Sequence, residues 1–169
     1  MTTDEKSLQA PTAPDVRYLC SAEFEVGGGL IAVGASPFGA QQLGYITGGR
    51  FFGPSINGIV LPGGGNWSRA GRLDEARSVG TFDARAVWRT DDGELVYVTY
   101  TGRSVIPDDV RATFADPAVA DADQSRYYLR IAPVFETASA RYGWLNGILA
   151  IGVGERTDFG VRHVIHEVL

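Results

Sequence analysis

Short runs of alternating apolar and polar residues recur along this chain, and glycines interrupt nearly every one. "RYLCSAEFEV" (17–26) alternates and meets three glycines at 27–29, which are expected to turn it toward "LIAVGAS". "GYITGGRFFG", "SINGIVLPGGG", "GTFDARAVWRT", "ELVYVTYTGRS", "RYYLRIAPVFET", "YGWLNGILAIGVGER" and "GVRHVIHEVL" follow in order. Their period is 2 rather than 3.6, and they are rich in β-branched and aromatic residues, so they read as strands. Asp92-Gly93, set between two such runs, is a strong hairpin signal. No long helical segment alternates with the strands, which excludes βαβ units. Twenty-two glycines in 169 residues, several of them inside strands, suit the tight bends of a barrel.

The predicted fold is therefore all-β: a single-domain antiparallel β-barrel over residues 16–169, with one or two short helices. Asp108 or Asp109 starts the first, which runs to about Phe114 and ends at Pro117. "RLDEARS" (72–78) is a candidate second helical turn. Residues 1–15 are polar and proline-bearing, without an apolar signal core, and read as a disordered lead.

Charge narrows the partners. The net charge is −5 and no basic run appears, which argues against nucleic acid and against an anionic membrane surface. No stretch reaches 18 consecutive apolar residues. A cytoplasmic location is expected. Cys20 is the single cysteine, so there is no intrachain disulfide and no thiolate zinc cluster; in its alternating run it reads as a small packed hydrophobe. His163 and His166, the two histidines, are three apart on a strand and face opposite ways, so no metal site is expected.

"GIVLPGGGNW" (58–67) raises the question of a phosphate loop. A Walker loop needs a lysine and a hydroxyl residue after its glycines, then a helix. Here Asn66, Trp67 and Ser68 follow Gly65. The stretch reads as a turn, and no nucleotide or other cofactor is implied.

Polar residues on strand faces supply the catalytic candidates. In "TFDARAVWRT", Asp83, Arg85 and Arg89 share one face while Phe82, Ala84, Ala86 and Trp88 share the other. Arg85 is either part of an exposed stripe or a fixed guanidinium in a cavity, where it would bind a carboxylate or enolate oxygen. Arg130, in an apolar strand with Tyr128, invites Glu136 as an ion-pair partner; a Glu136 buried in a pocket would instead serve as acid or base. "RYGWLNG" sets Tyr142, Trp144 and Asn146 at alternating positions, a pocket-like mixture of flat walls and hydrogen-bonding groups, with a barrel mouth or an oligomer interface as the other reading. Asn66, Trp67, Tyr97, Tyr128 and His163 are further candidate substrate contacts, Trp67 closing the same pocket.

Several of these stretches, "GGRFFGPSINGIVLPGGGNW", "DARAVWRTDDGELVYVTYTG", "YYLRIAPVFETASARYGWLNGILAIGVGER" and "VRHVIHEVL", resemble in order and spacing the DUF3237 (UPF0311) family. The likeness runs from Tyr18 to Leu169 and implies a small, mostly antiparallel β-barrel; it implies little about activity, because most members have no assigned chemistry. The family's pattern places an acid before the tryptophan that follows the glycines, where this chain has Asn66. An amide cannot take a proton at neutral pH.

The leading functional expectation is a cofactor-independent enzyme of isomerase, cyclase or lyase type, acting on a small apolar oxygenated metabolite, polyketide- or aromatic-like, bound in the barrel. Arg85 or Arg130 would be the electrophile, Glu136 or Tyr142 the proton carrier, and Trp67 and Trp144 the walls. The alternatives are a non-catalytic carrier barrel with the same pocket and a structural oligomer with a filled lumen. A homodimer is expected, since small barrels with aromatic outer faces often pair.

Overall fold

A computed structural model describes residues 13–115 and 123–169; residues 1–12 of the expected 1–15 lead, and Pro117, lie outside them. Nine antiparallel strands form one sheet: β1 (Val16–Ser36), β2 (Gly39–Phe52), β3 (Asn57–Val60), β4 (Gly64–Arg72), β5 (Arg77–Thr90), β6 (Leu95–Pro107), β7 (Tyr128–Glu136), β8 (Ala150–Arg156) and β9 (Gly160–Val168). The spatial order β1-β9-β8-β7-β6-β5-β3-β2 returns to β1 through the β1–β2 pairing, so the sheet closes into a barrel. β3 and β4 lie end to end between β2 and β5, each pairing with both.

That arrangement answers the question of the glycines at 63–65. Val60 pairs with Trp88 and Gly65 with Arg85. Five steps along β3–β4 therefore match three along β5, and the surplus bulges out at Leu61–Gly63. Leu61 N donates to Val87 O at 2.8 Å on one side and Gly63 N to Ile46 O at 3.1 Å on the other. Gly63 has φ +106°, and a Cβ on Gly64 would sit 2.4 Å from the carbonyl oxygen of Arg85. The glycines bend a barrel strand and let two backbones touch.

Alternation decides which face is inside. On β5, Ala84, Ala86 and Trp88 are buried while Asp83, Arg85 and Arg89 are exposed. Trp88 stacks on Phe51 with centroids 4.4 Å apart and also meets Phe135 and Phe24. Phe24, Tyr100 and His163 form the neighbouring layer. The interior is thus occupied by large rings with Val96, Val98, Ile56, Leu145 and Ile165 around them. Each buried Phe contributes about 1.5–3 kcal/mol of apolar burial. Cys20 is fully buried, and burial pushes its thiol up to about 12, which fits its expected role as a packed hydrophobe.

α1 (Asp108–Ala115) forms where the acidic start favours it: Asp108 and Asp109 lie in its first turn, where the helix dipole is positive. Its Val110 packs with Ile106, Tyr127 and Leu129 at one end of the barrel.

Two local expectations are corrected. Gly27–Gly29 do not turn the chain; Gly28 and Gly29, both at φ +74°, form a bulge between register pairs within β1, and the reversal comes at Pro37–Phe38. Residues 73–76 are a hairpin loop rather than a helical turn, because Leu73 N and Asp74 N both bond to Arg77 O, and the Asp74 carboxylate accepts from Ala76 N at 3.0 Å.

Candidate functional site

The hairpin turn between β5 and β6 and the crossover between β7 and β8 meet at one end of the barrel. Tyr142 OH donates to Asp92 Oδ1 at 3.0 Å, Arg141 to Asp92 Oδ2 at 2.8 Å, and Thr90 Oγ1 to Asp92 Oδ1 at 2.5 Å. Asp92 sits where it does because Gly93, at φ +90°, lets the turn close with Thr90 N bonded to Glu94 O at 2.9 Å. Hydrogen bonds from Thr90 and Tyr142, together with the charge of Arg141, hold the Asp92 carboxyl below its ordinary range. Burial, and then the carboxylate beside it, raise the Tyr142 phenol. The pair borders a pocket of about 420 Å³. Pro54–Asn57, Asp91, Asp92, Arg141 and Tyr142 line it.

Tyr142 is therefore a candidate from the sequence that does line a pocket, but its sequence neighbours do not join it. "GWLNG" is a 3-10 turn, Gly143–Gly147, rather than a strand. Tyr142 and Leu145 are both buried, and a spacing of three puts them on one side of such a turn. Trp144 is 40% exposed. Asn146 is spent on structure: its Oδ1 accepts from Thr137 N at 2.8 Å and its Nδ2 donates to Thr137 O at 2.9 Å.

Arg85, Trp67, Tyr97, Tyr128, Arg130 and Glu136 lie on the barrel's outer face. Arg85 points outward, its guanidinium 5.8 Å from the Trp67 ring and 3.5 Å from Asp83. Trp67 pairs with Asp83 in register, so it lies far along β5 from the Asp92 turn and closes no pocket with Tyr142. Arg130 and Glu136 share the outer face of β7 but are six residues apart, about 20 Å; the Arg130 guanidinium lies over Tyr128 at 4.7 Å and donates to Leu129 O instead. Glu136 and Tyr97 are register partners, both exposed. No common cavity brings Arg85, Glu136 and Trp144 together, because the strand alternation that buries Trp88 turns Arg85 out.

Two candidates do point inward. Asn66 pairs with Gly44 and Ala84 on the inner face, and its buried Oδ1 has no partner. His163 is 2% exposed, its ring packed edge-on against Phe24 and Tyr100, and burial lowers its pKa to about 3. The imidazole is neutral at physiological pH.

Sequence reasoning missed two features. Asp92 entered only as a turn signal, although two consecutive acids exceed what a turn requires. The second is a charge ladder: Glu155, Arg162, Glu23 and Arg50 are successive register partners across four strands. Glu23, with its side chain 7% exposed, accepts from Arg162 at 2.8 Å and Arg50 at 2.5 Å. A groove of about 350 Å³ opens beside it between Glu25, Arg50 and Phe159. Among the described residues no group of three or more His, Cys, Asp or Glu could hold a metal ion, and no helix is long and apolar enough to cross a membrane.

Comparison with known proteins places these observations in a lineage. Residues 14–168 match the family model described as "Protein of unknown function (DUF3237)". A UPF0311 protein of Rhodopseudomonas palustris is 31% identical over 162 residues, covering 92% of this chain and 97% of that one. The crystal structure of a conserved R. palustris protein of unknown function superposes with a TM-score of 0.83 at 27% identity, covering 94% of this chain and all of that one. The hydroalkoxylation enzyme phnH of Penicillium herquei is 29% identical over 142 residues, covering 84% of this chain and 75% of that one.

Proposed function

The chain belongs to the DUF3237 family, and from that premise we propose that it is a cofactor-independent enzyme adding a hydroxyl across an activated double bond of a small aromatic or polyketide-like molecule. The observation that carries this reading is the Tyr142–Asp92 hydrogen bond at the edge of an open surface pocket of about 420 Å³. The relative named for hydroalkoxylation supports the reaction class.

The chemistry needs one proton acceptor and one proton donor that can exchange. Asp92 takes the proton of the substrate hydroxyl as its oxygen attacks the double bond. Tyr142 gives its proton to the carbon that gains charge. One O–H bond and one C=C π bond are consumed, and one C–O and one C–H bond form. The proton then passes from Asp92 to Tyr142 along the hydrogen bond they already share, restoring the starting state. Arg141, 2.8 Å from Asp92, keeps the carboxylate ionised and stands close enough to steady a developing enolate. Pro54 offers an apolar edge, while Ile56 is almost wholly buried. A carrier that houses its ligand in the lumen fits less well, since Trp88, Phe51 and Phe135 occupy it.

The test is turnover of a panel of 2′-hydroxychalcone-type probes, which ring-close by this addition, in heavy water. Enzymatic addition gives one carbon-bound deuterium per product, seen by mass spectrometry, and Tyr142→Phe lowers the rate by about 10²-fold or more. Binding without an accelerated rate would establish a carrier instead.

A further inference from the structure

Most arginines of this chain stand against an acid. Among the described residues Arg69, Arg103 and Arg130 do not, and the sheet puts all three in one row. Gln41, Arg69, Thr81, Arg103, Arg130 and Val153 are successive register partners across six strands, β2 and β4 to β8, with no acid among them. Arg103 and Arg130 are directly opposed, and like charges opposed on neighbouring strands are destabilising. Each donates one N–H to the carbonyl of the residue before it, Gly102 O and Leu129 O, both at 2.9 Å. Most of the five donors on each fork therefore stay open. The rung on one side, Gly71, Val79, Val105 and Tyr128, is uncharged. On the other side Asp83 is matched by Arg85 at 3.5 Å. The row is an unmatched positive stripe in a protein of net charge −5.

We propose that Arg69, Arg103 and Arg130 form a binding site for a small molecule carrying two or more linked phosphate groups. Two opposed guanidinium groups call for a single group with more than one negative charge. A terminal phosphate carries about 1.5 to 2 at neutral pH, whereas a carboxylate carries one, and the planar fork matches phosphate oxygens in pairs. Strand spacing of about 4.8 Å puts Arg69 two strands, about 10 Å, from Arg103. From the far side of Thr81 it meets the next phosphate of the same molecule, with the Thr81 hydroxyl between them as a further donor. A long polyanion would run past the row onto a surface that is negative overall, so the occupant is short. No basic run announces the row in the sequence, because its arginines come from three different strands.

Titration calorimetry with tripolyphosphate on the intact chain tests this. One molecule is expected to bind per chain, and Arg103→Gln or Arg130→Gln to weaken it by about 10-fold or more. Arg89, also without an acid partner among the described residues, lies eight positions along β5 from Thr81; Arg89→Gln leaves the affinity unchanged. Arg103→Gln melts no lower than the unmodified chain, because it relieves the opposition to Arg130, so lost binding is not lost folding. ADP in place of tripolyphosphate separates an esterified source of the phosphates from an inorganic one, and binding of either at the row supports the site. Absence of saturable binding, an affinity unchanged in Arg103→Gln and Arg130→Gln, or an equal loss in Arg89→Gln would each overturn the inference. So would tighter binding of a single-stranded oligonucleotide or a polyglutamate peptide than of tripolyphosphate and ADP.

Discussion

Arg50 Nε donates to Glu23 Oε2 at 2.5 Å, and that bond holds a nearly buried carboxylate on the outward-facing side of β1. Arg162 binds the other oxygen, so a single acid joins β1 to both its neighbours. The Arg50 hydrogen bond is the largest of the effects that hold the Glu23 pKa below its ordinary value of 4.5. A lowered folded pKa means that the stabilisation is present above about 4.5 and is lost as pH falls through the folded value. Glu23→Gln is expected to cost about 1–3 kcal/mol at pH 7 and to flatten the acid limb of the stability curve. Urea midpoints at pH 7 and pH 3 measure both.

His163 contributes with the same sign by a different route. Burial lowers its folded pKa from 6.5 to about 3, so the unfolded chain takes up a proton that the folded one refuses. Stability falls as pH drops from about 6.5 toward 3 and then levels off. His163→Phe keeps a ring against Phe24 and Tyr100 and removes this dependence. The difference in urea midpoint between variant and wild type should widen in the variant's favour between pH 7 and pH 4.

Gly64 and Gly71 make a matched pair. A methyl on Gly64 meets the Arg85 carbonyl, while one on Gly71 meets nothing within 4 Å. Gly64→Ala is expected to cost about 1–3 kcal/mol through forced backbone shifts. Gly71→Ala should be neutral or slightly stabilising, because it restricts the unfolded chain. Thermal melts decide it, and equal effects would refute the close-approach account of the bulge.

Arg85 stands on the outer face over Trp67. Arg85→Ala should change stability by no more than about 0.5 kcal/mol and leave turnover of the chalcone probes untouched. A large loss of rate would return Arg85 to the mechanism and move the site to β4 and β5.

The barrel was legible because strand alternation and turn chemistry are local. Ala84, Ala86 and Trp88 announce an inner face, Asp92-Gly93 a hairpin, and Asp108 a helix start, each within a few residues. Cross-strand partnership is not local. Glu23 and Arg162 are 139 positions apart, and nothing in either neighbourhood names the other. Tyr142 was found as a residue but misread in its setting, since "RYGWLNG" alternates as well as a strand does; the deciding fact was the burial of both Tyr142 and Leu145. The proposed pairing of Arg130 with Glu136 failed for a simpler reason: residues on one face of a strand grow apart by about 3.3 Å per position.

β7 and β8 share two register pairs, Arg130–Val153 and Ile131–Gly152, while β3 shares three with each of its neighbours and the longer strands share seven or more. The connection that follows β7 is closed on itself by the two hydrogen bonds between Asn146 and Thr137. A closed hoop is expected to yield first where it is riveted least, and amide exchange along β7 and β8 would show it. The proposed chemical groups sit on two connections, Asp92 on the β5–β6 turn and Tyr142 on the segment between β7 and β8, which Leu145 anchors in the core. Breathing of the seam would lengthen and shorten the Tyr142–Asp92 hydrogen bond, coupling the mechanical give of the hoop to the proton path.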